Sequence, residues 1–503
     1  MNVLSRVWRP ALLWAFAGAS VLSSCKKAEE VGPVAPTTST AAATGPVTDA
    51  EVNDWILENM KVLYYWNDKL PANPDKAQTP KKFFDSILYK FNATTNPTGD
   101  RFSWIQESAT ELKSSLSGQS KTTGMELTYY LRSQGSTDVI ASVLYVLPGS
   151  PAAKAGFKRG DIISKVNGVT LTNIQGTSFF GDLLFGQGDT KNYGIARLEA
   201  DKADPTKTVT VDTDVTRSVT AVVFQENPVY LDSVYTIGSK KVGYLVYNQF
   251  VTGPGGPSDK TYDNQIDNVF AKFKAQGVNE LILDFRYNPG GYVSSATNMA
   301  GLIAKGITGT KSVFTRKGWN ATITPELKKQ SGDDFFYDYM QPKANNIGDN
   351  LQRVYVLTTG STASASELMI NGLKPYFNQQ VFTIGRTSYG KNVGSITVED
   401  TKNKRVKWGM QPITTKSFNK DNQSDYSTGF IPTVDLREPL ALKPLGDVTE
   451  RYLSEALFQI TGTRTARRAA SDERTTPSVG SSIERKAGGS NMFFTDTLPN
   501  LPQ

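Results

Sequence analysis

The sequence of 503 residues contains no histidine and a single cysteine, Cys25. Without histidine, a serine–histidine–aspartate triad, a histidine general base and a histidine-ligated zinc site are all excluded. A single cysteine excludes an intrachain disulfide and a cysteine-cluster metal site. If the protein catalyses a reaction near neutral pH, its general base must therefore be a carboxylate or a lysine whose pKa is lowered.

The positive charge of the chain lies mostly at its two ends. The formal net charge is +7, and residues 1–24 contain two arginines and no acidic residue. Residues 461–503 contain six basic and four acidic residues, which leaves +3 on residues 25–460. Because this charge is small and dispersed, we expect no nucleic-acid partner.

The N-terminal residues have the features of a targeting segment. Arg6 and Arg9 precede an apolar stretch over residues 11–22 that is too short to span a membrane comfortably. The following Ser23-Ser24-Cys25 resembles the end of a bacterial lipoprotein signal peptide, which implies cleavage after residue 24 and lipidation of Cys25. Such an anchor would hold the protein in the cell envelope, at the outer membrane facing the periplasm or the cell surface. The alternative is an ordinary signal peptide with an incidental cysteine.

Two regions have the composition of flexible chain. Residues 25–47 are rich in Ala, Thr and Pro without apolar periodicity, which predicts a tether. Residues 461–503 are rich in Thr, Ser, Arg and Gly, which predicts a disordered tail.

Residues 48–116 are predicted to form a small helical domain. Thr48 and Glu51 have the spacing of a capping box, and apolar residues follow at helical intervals. Pro80 is suited to the first position of a second helix. Nothing in this segment indicates chemistry.

Residues 117–228 contain a motif with ordered turns and short elements. A short helix is expected after Pro151 and a strand after Asp161, and Asn167-Gly168 is typical of a tight hairpin turn. The segment over residues 148–168 resembles the PDZ domains of bacterial envelope proteases. The alternative is a β-domain that serves only for packing.

The PDZ resemblance implies a peptide-binding site. Gly124, Met125, Glu126 and Leu127 would form the loop whose backbone amides hold the C-terminal carboxylate of a peptide. PDZ domains bind such peptides by adding them as a strand to an exposed sheet edge.

Residues 229–460 alternate strands and helices, and three predicted strands lead into residues with catalytic potential. The strand over residues 281–285 precedes Gly290-Gly291, the strand over 354–358 precedes Ser364, and the strand over 381–384 precedes Lys391. A serine at the start of a helix lies near backbone amides and the positive end of the helix dipole. A lysine acts as a base only when neutral, which requires an apolar or positively charged site.

These segments resemble the signatures of the C-terminal processing peptidases of the S41 class. The resemblance rests on Leu283–Gly291, on Thr362-Ala-Ser-Ala-Ser-Glu367 and on Gly390-Lys391. It implies an α+β multidomain protein with an N-terminal helical domain, a PDZ-like domain and a mixed α/β core of the ClpP/crotonase type.

The same resemblance implies a serine endopeptidase that uses a Ser-Lys dyad and an acyl-enzyme. Ser364 would be the nucleophile and Lys391 the base, and the backbone of Gly290 or Gly291 and of Ala365 would bind the oxyanion. The substrates would be envelope proteins or peptides recognised at unstructured C-terminal tails, and no metal or organic cofactor is implied.

Departures from the family pattern leave alternatives open. Ser395 stands where many members have a glutamine that orients the lysine, and strict spacing could favour Ser366 as the nucleophile. A catalytically inactive pseudoprotease that only binds peptides is therefore the alternative function.

Two other motifs overlap the lysine. The spacing from Gly385 to Lys391 approximates a phosphate-binding P-loop, which needs a following Ser or Thr and a helix. Ser388 and Lys391 also have the Ser-x-x-Lys spacing of β-lactamases, but the other motifs of those enzymes are absent.

Overall fold

The computed structural model describes residues 45–205, 207–464, 476, 478–486, 492–495 and 498. The predicted signal peptide, the lipidation site Cys25 and nearly all of the predicted tether lie outside this part. Among the described residues, no helix combines the length and the apolar character needed to cross a bilayer.

The N-terminal segment is helical, as the sequence predicts. Its elements are α1 (Asp49–Leu63), α2 (Pro80–Ile87), β1 (Trp104–Gln106) and α3 (Ala109–Leu116). The capping box between Thr48 and Glu51 is present, with Thr48 N donating to the Glu51 carboxylate at 2.8 Å. Apolar residues at helical spacing on α1 and α2, such as Ile56 and Phe83, are fully buried in the main hydrophobic core.

The PDZ-like segment forms an antiparallel sheet, a separate two-stranded sheet of its first and last strands, and two short helices. Its elements are β2 (Gln119–Thr122), β3 (Met125–Leu131), β4 (Val139–Val146), α4 (Pro151–Lys154), β5 (Ile162–Val166), β6 (Val169–Thr170), α5 (Phe180–Phe185), β7 (Thr190–Ala200), β8 (Thr208–Thr220) and β9 (Val222–Gln225). Asn167-Gly168 forms the predicted turn between β5 and β6, and both residues have positive φ. The helix at Pro151 and the strand after Asp161 are therefore confirmed.

The remaining region is a mixed α/β core. Its elements are β10 (Val229–Ile237), β11 (Lys240–Tyr247), α6 (Thr261–Ala275), β12 (Glu280–Asp284), β13 (Gly291–Tyr292), α7 (Val293–Ile303), β14 (Ser312–Trp319), α8 (Thr324–Ser331), β15 (Tyr337–Met340), β16 (Val354–Thr358), α9 (Ala365–Leu373), β17 (Val381–Gly385), β18 (Val393–Ser395), β19 (Val398–Glu399), β20 (Gly409–Gln411), β21 (Ile413–Phe418), β22 (Val434–Asp435) and α10 (Arg451–Thr461).

The main sheet of this core has the order β10-β11-β12-β16-β17-β22. From β11 to β22 its strands are parallel. Helices cover both faces of this sheet, so successive residues of one strand pack into different hydrophobic cores. Leu283 packs in the core that contains α6, α7 and α9, whereas its neighbour Ile282 packs with α10.

Three neighbouring parallel strands carry the candidate catalytic segments at their carboxyl ends. β12 leads to Gly290-Gly291, β16 leads to Ser364 and β17 leads to Lys391. In an open α/β sheet this edge is where active sites form. The fold thereby brings together residues that lie about 100 positions apart in the sequence.

A buried ionic cluster joins the PDZ-like segment to the core. Arg159 lies 2.9 Å from Glu438 and donates a hydrogen bond of 2.6 Å to the hydroxyl of Tyr287. Arg286 lies in the same cluster, 2.8 Å from Glu450. Burial opposes ionisation of the Glu438 carboxyl, but the guanidinium groups of Arg159 and Arg286 lower its pKa to about 2.

The C-terminal region differs from the disordered tail that its composition predicts. Among the described residues it forms β23 (Ser478–Ser481), a 3-10 helix (Ser482–Arg485) and β24 (Met492–Phe493). β23 pairs with β3 of the PDZ-like segment, and β24 lies between β13 and β18 of the core. The composition does not predict this ordered structure, because the tail packs on surfaces formed by other parts of the chain.

Candidate active site

Ser364 lies in a strained turn that the fold buries. It precedes α9 with φ 61° and ψ −114°, a left-handed conformation that non-glycine residues rarely adopt. The residue is fully buried, and its side chain faces the Glu367 amide as in a capping box, but its Oγ makes no hydrogen bond of ordinary geometry within the described part of the chain. A strained backbone and an unpaired buried hydroxyl both cost free energy, and such features cluster at functional sites.

The neighbouring serines have structural partners. Ser366 Oγ donates to the carbonyl of Asn288 at 3.1 Å. Ser388 Oγ donates to Glu367 at 2.5 Å and accepts from Phe430 N at 2.8 Å. The hydroxyls of Ser366 and Ser388 form hydrogen bonds to other segments, whereas the Ser364 hydroxyl does not. The geometry therefore favours Ser364 over Ser366 as the candidate nucleophile.

Lys391 is fully buried in the loop between β17 and β18. Burial lowers the pKa of its amine well below the ordinary lysine value, and the charge of Arg101 acts in the same direction, whereas Asp100 and Glu367 oppose it. The amine lies 4.6 Å from the centre of the Phe102 ring. This environment favours the neutral amine that a general base requires.

Glu367 holds the serine and the lysine segments together. Its carboxylate accepts hydrogen bonds from the backbone amides of Ser364 at 2.9 Å, Gly390 at 2.6 Å and Lys391 at 2.8 Å. Burial raises the pKa of this carboxyl, although the hydrogen bonds act in the opposite direction. The sequence motif contains Glu367, but its role was not predicted, since only the fold shows which amides it faces.

The backbone amides proposed for the oxyanion differ in availability. Gly290 N donates to Asn288 Oδ1 at 2.9 Å, so this amide is already engaged. Gly291 has φ 133°, and an added Cβ would lie 2.1 Å from the carbonyl of Phe250, so glycine is required there. Ala365 is the first residue of α9, and its amide has no acceptor within the helix. Gly290 is therefore the weakest of the three proposed donors, and Gly291 lies on a strand that pairs with β24.

The N-terminal domain contributes residues that sequence reasoning missed. Arg101 donates to the carbonyls of Gly390 at 2.9 Å and Ser427 at 2.8 Å, and the Phe102 ring covers the Lys391 amine. No local pattern indicates these contacts, because the hydrogen bonds of Arg101 join residues 289 and 326 positions apart.

Two predicted sites have a different setting from the expected one. Met125, Glu126 and Leu127 belong to strand β3, and only Gly124 precedes it, so the predicted carboxylate loop is largely a strand. Ser395 lies in β18, and its hydroxyl donates to the carbonyl of Met492 at 3.3 Å. Its role in orienting Lys391 stays a prediction.

The lysine loop does not have the form of a phosphate-binding loop. Strand β18 follows Lys391 where a P-loop would continue into a helix. The Ser-x-x-Lys alternative also fails, since the Ser388 hydroxyl is bonded to Glu367 and Phe430.

Comparisons with known protein families agree with this architecture. Residues 241–436 match the model described as peptidase family S41, and residues 51–104 match the peptidase S41 N-terminal domain. Residues 142–182 match a PDZ domain.

Individual relatives are described as proteases, and their sequence identity to this chain is below 30%. A carboxyl-terminal-processing protease of Picosynechococcus is 27% identical over 284 residues, which cover 56% of this chain and 57% of the relative. A probable CtpA-like serine protease of Staphylococcus epidermidis is 23% identical over 59% of this chain and 51% of its own length. The chain thus spans about half the length of the curated relatives it matches.

A solved structure extends the similarity to most of the fold. The crystal structure of a protein assigned to the S41 proteases, from Bacteroides fragilis, is 26% identical with a TM-score of 0.64. The alignment covers 81% of this chain and 97% of that one. The core over residues 241–436 is therefore similar to peptidase family S41, and the segments before it match an S41 N-terminal domain and a PDZ domain.

Proposed function

We propose that this protein is a serine endopeptidase in which Ser364 is the nucleophile and Lys391 the general base. The observation that carries the proposal is the pairing of a strained, buried serine whose hydroxyl lacks a partner among the described residues with a fully buried lysine of lowered pKa. Both follow neighbouring parallel strands, and Glu367 binds the backbone amides of both. This arrangement suits proton transfer from a serine to a lysine without histidine.

The chemistry proceeds in two steps. Neutral Lys391 accepts the proton of Ser364 Oγ, and the oxygen attacks the carbonyl carbon of the peptide bond. The amides of Gly291 and Ala365 stabilise the oxyanion, and Lys391 returns the proton to the departing amine. Water then attacks the resulting acyl-enzyme by the reverse use of the same groups, which releases the acid product.

The resting geometry must change before catalysis. Because Ser364 Oγ has no hydrogen-bond partner in the described residues, no such bond joins it to the Lys391 amine. Catalytic hydrogen bonds often form only when substrate is bound. Substrate binding would therefore bring the hydroxyl and the amine within hydrogen-bond distance.

The proposed substrates are proteins or peptides with unstructured C-terminal tails. The PDZ domain supports this, since its strand β3 has β4 on one side and only the C-terminal strand β23 on the other, where a peptide could add as a strand. A reporter peptide with a free C-terminal carboxylate should be cleaved faster than the same peptide with an amidated C-terminus. Equal rates would show that the PDZ domain does not select the carboxylate.

The catalytic assignment is tested with Ser364→Ala and Lys391→Met in the full chain. Both variants should lose peptide hydrolysis by at least about 10⁴-fold and should resist a fluorophosphonate probe. Ser331→Ala is the matched control, because Ser331 is an exposed residue at the end of α8. Variants that react like the wild type, or a folded wild type without turnover, would favour the pseudoprotease instead.

We also propose that Cys25 is lipidated and anchors the protein in the bacterial cell envelope. Its support is the position of the sole cysteine directly after a basic and apolar N-terminal segment. In cells grown with radioactive palmitate, the wild type should carry label and Cys25→Ser should not. Label that persists in Cys25→Ser would place the modification elsewhere.

A further inference from the structure

The C-terminal region occupies the peptide-binding edge of the PDZ domain. β23 pairs antiparallel with β3, with Gly480 opposite Tyr129 and Ser481 opposite Thr128. At the end of β23, Leu127 N donates to Ser482 Oγ at 2.7 Å, and Ser481 Oγ donates to the Leu127 carbonyl at 3.0 Å. This is the strand addition by which PDZ domains bind peptides, with a segment of the same chain as the ligand.

Side chains after β23 make this contact specific. Ile483 is 2% exposed and packs with Tyr145 and Tyr287. Lys486 Nζ lies 2.8 Å from Glu226 and 3.4 Å from Glu126, in a buried cluster. An apolar anchor and a buried ion pair are features of a specific interface rather than of a chance contact.

The segment over residues 492–495 also pairs with strands beside the proposed catalytic residues. β24 runs parallel to β13 and β18, with Met492 opposite Gly291 and Phe493 opposite Ser395. Ser395 Oγ donates to the Met492 carbonyl at 3.3 Å, and Phe494 N donates to the Ser395 carbonyl at 3.0 Å. The segment therefore bridges the oxyanion-binding turn and the strand that follows the catalytic lysine.

The side chains of this segment are buried among hydrophobic residues of the N-terminal domain and the core. Met492 is fully buried, and Phe493 and Phe494 are 1% and 5% exposed. The Phe493 ring packs edge-on against Tyr292, with 5.8 Å between the ring centres. A Cβ added to Gly394 would lie 2.2 Å from the Phe494 ring, so the ring rests directly on the backbone of β18.

We propose that the C-terminal tail of this chain, through its described segments 478–486 and 492–495, is an intramolecular inhibitor that occupies the PDZ edge and the catalytic cleft together. This inference rests on the proposed peptidase function, because a substrate would need the backbone edges of β3, β13 and β18 that the tail already uses. Proteolysis of other peptides then requires release of the tail.

The expected strength of inhibition follows from tethering. A segment linked to its site has an effective concentration on the order of millimolar. If the free tail peptide binds with a dissociation constant of roughly 10–100 μM, tethering slows turnover by about tenfold to one hundredfold.

The first experiment releases the tail from the folded full chain. A recognition sequence for a site-specific protease is inserted between residues 464 and 476, and the protein is cut after purification and then diluted. Hydrolysis of a short reporter peptide should rise about tenfold or more, and added synthetic peptide of residues 476–498 should reverse the rise competitively. A separate readout, fluorescence anisotropy of the labelled peptide, measures binding to the cut protein independently of activity.

The outcomes separate this inference from the proposed function. If neither the cut nor the uncut protein hydrolyses the reporter, but the labelled peptide binds the cut protein, the result would contradict the peptidase function and support the docked tail. Turnover that is equal before and after release, or a labelled peptide that does not bind, would overturn the inhibitor while leaving the peptidase intact. If the wild type removes its own tail and Ser364→Ala does not, the tail is a substrate of the peptidase, and the inhibitor proposal would also be overturned.

A point variant tests the same inference without a cut. Phe493→Asp places a carboxylate in the buried cleft and should raise turnover, because a charge without a partner is costly to bury. Thr495→Asp adds the same charge at an exposed position two residues away and should leave turnover unchanged. Equal turnover in the two variants would contradict the inhibitory role of the docked segment.

Discussion

Removal of the Ser364 hydroxyl should stabilise the protein while it abolishes activity. The hydroxyl is buried and has no hydrogen-bond partner among the described residues. A buried polar group without a partner costs about 1–3 kcal/mol, and Ser364→Ala removes that cost and leaves little empty space. We expect the free energy of unfolding to rise by about 1–2 kcal/mol.

Ser364→Gly separates the strain of the backbone from the cost of the hydroxyl. At φ 61° a non-glycine residue carries strain of about 1–3 kcal/mol, which glycine relieves. The greater freedom of glycine in the unfolded chain offsets about 0.5–1 kcal/mol of this gain. Ser364→Gly should therefore be at least as stable as Ser364→Ala.

The assay is urea unfolding followed by fluorescence, with midpoints compared at constant slope. Ser366→Ala is the matched control, because its buried hydroxyl donates to the Asn288 carbonyl at 3.1 Å. The control should lose about 0.5–1.5 kcal/mol, a change of opposite sign. If Ser364→Ala is destabilised as much as the control, the Ser364 hydroxyl has a partner in solution and the reasoning is wrong.

Three further predictions concern the lysine and the ionic cluster. The pKa of Lys391 is lower in the folded protein than in the unfolded chain. The free-energy cost of burying the charged amine is therefore complete below the folded pKa, and it shrinks as the pH rises toward about 10.5. Lys391→Met should therefore be more stable than the wild type at pH 7 in urea unfolding, and a difference that does not narrow at alkaline pH would contradict this. Phe102→Ala should admit water to the Lys391 amine and raise its pKa, which would shift the pH–rate curve to higher pH; an unshifted curve would show that the ring does not shield the amine. Arg159→Met leaves Glu438 buried with one partner fewer and should cost about 3–5 kcal/mol of stability at pH 7. Since the pKa of Glu438 is lowered to about 2, this contribution is present above about pH 4.5 and declines as pH falls toward 2, so a loss that is equal at pH 7 and pH 3 would contradict the ionic assignment.

Local sequence patterns predicted the elements that carry the proposed catalytic residues. The strand over residues 354–358 has the predicted bounds, because an apolar run ends there at a Thr-Gly turn before the helix of Ser364. The Asn167-Gly168 hairpin turn was predictable for a similar reason, since both residues tolerate positive φ. Such features depend on neighbouring residues alone.

Contacts between distant segments could not be predicted in this way. Glu367 lies in a recognisable motif, but its partners in the Gly390-Lys391 loop are set by the packing of β16 beside β17. The polar composition of residues 461–503 predicts disorder, yet Ile483 and Phe493 are buried by surfaces of the PDZ domain and the core. No periodicity within the tail indicates those surfaces.

The dependence of Ser364 modification on pH and on Lys391 is the decisive test of the Ser-Lys mechanism. The protein, cut to release its tail, is treated with a fluorophosphonate at several pH values, and the adduct is located by mass spectrometry. We expect a single adduct on Ser364 whose rate of formation rises with pH through a pKa below about 10.5, and no adduct in Lys391→Met. An adduct on another residue, or Ser364 modification at the wild-type rate in Lys391→Met, would contradict the Ser-Lys mechanism.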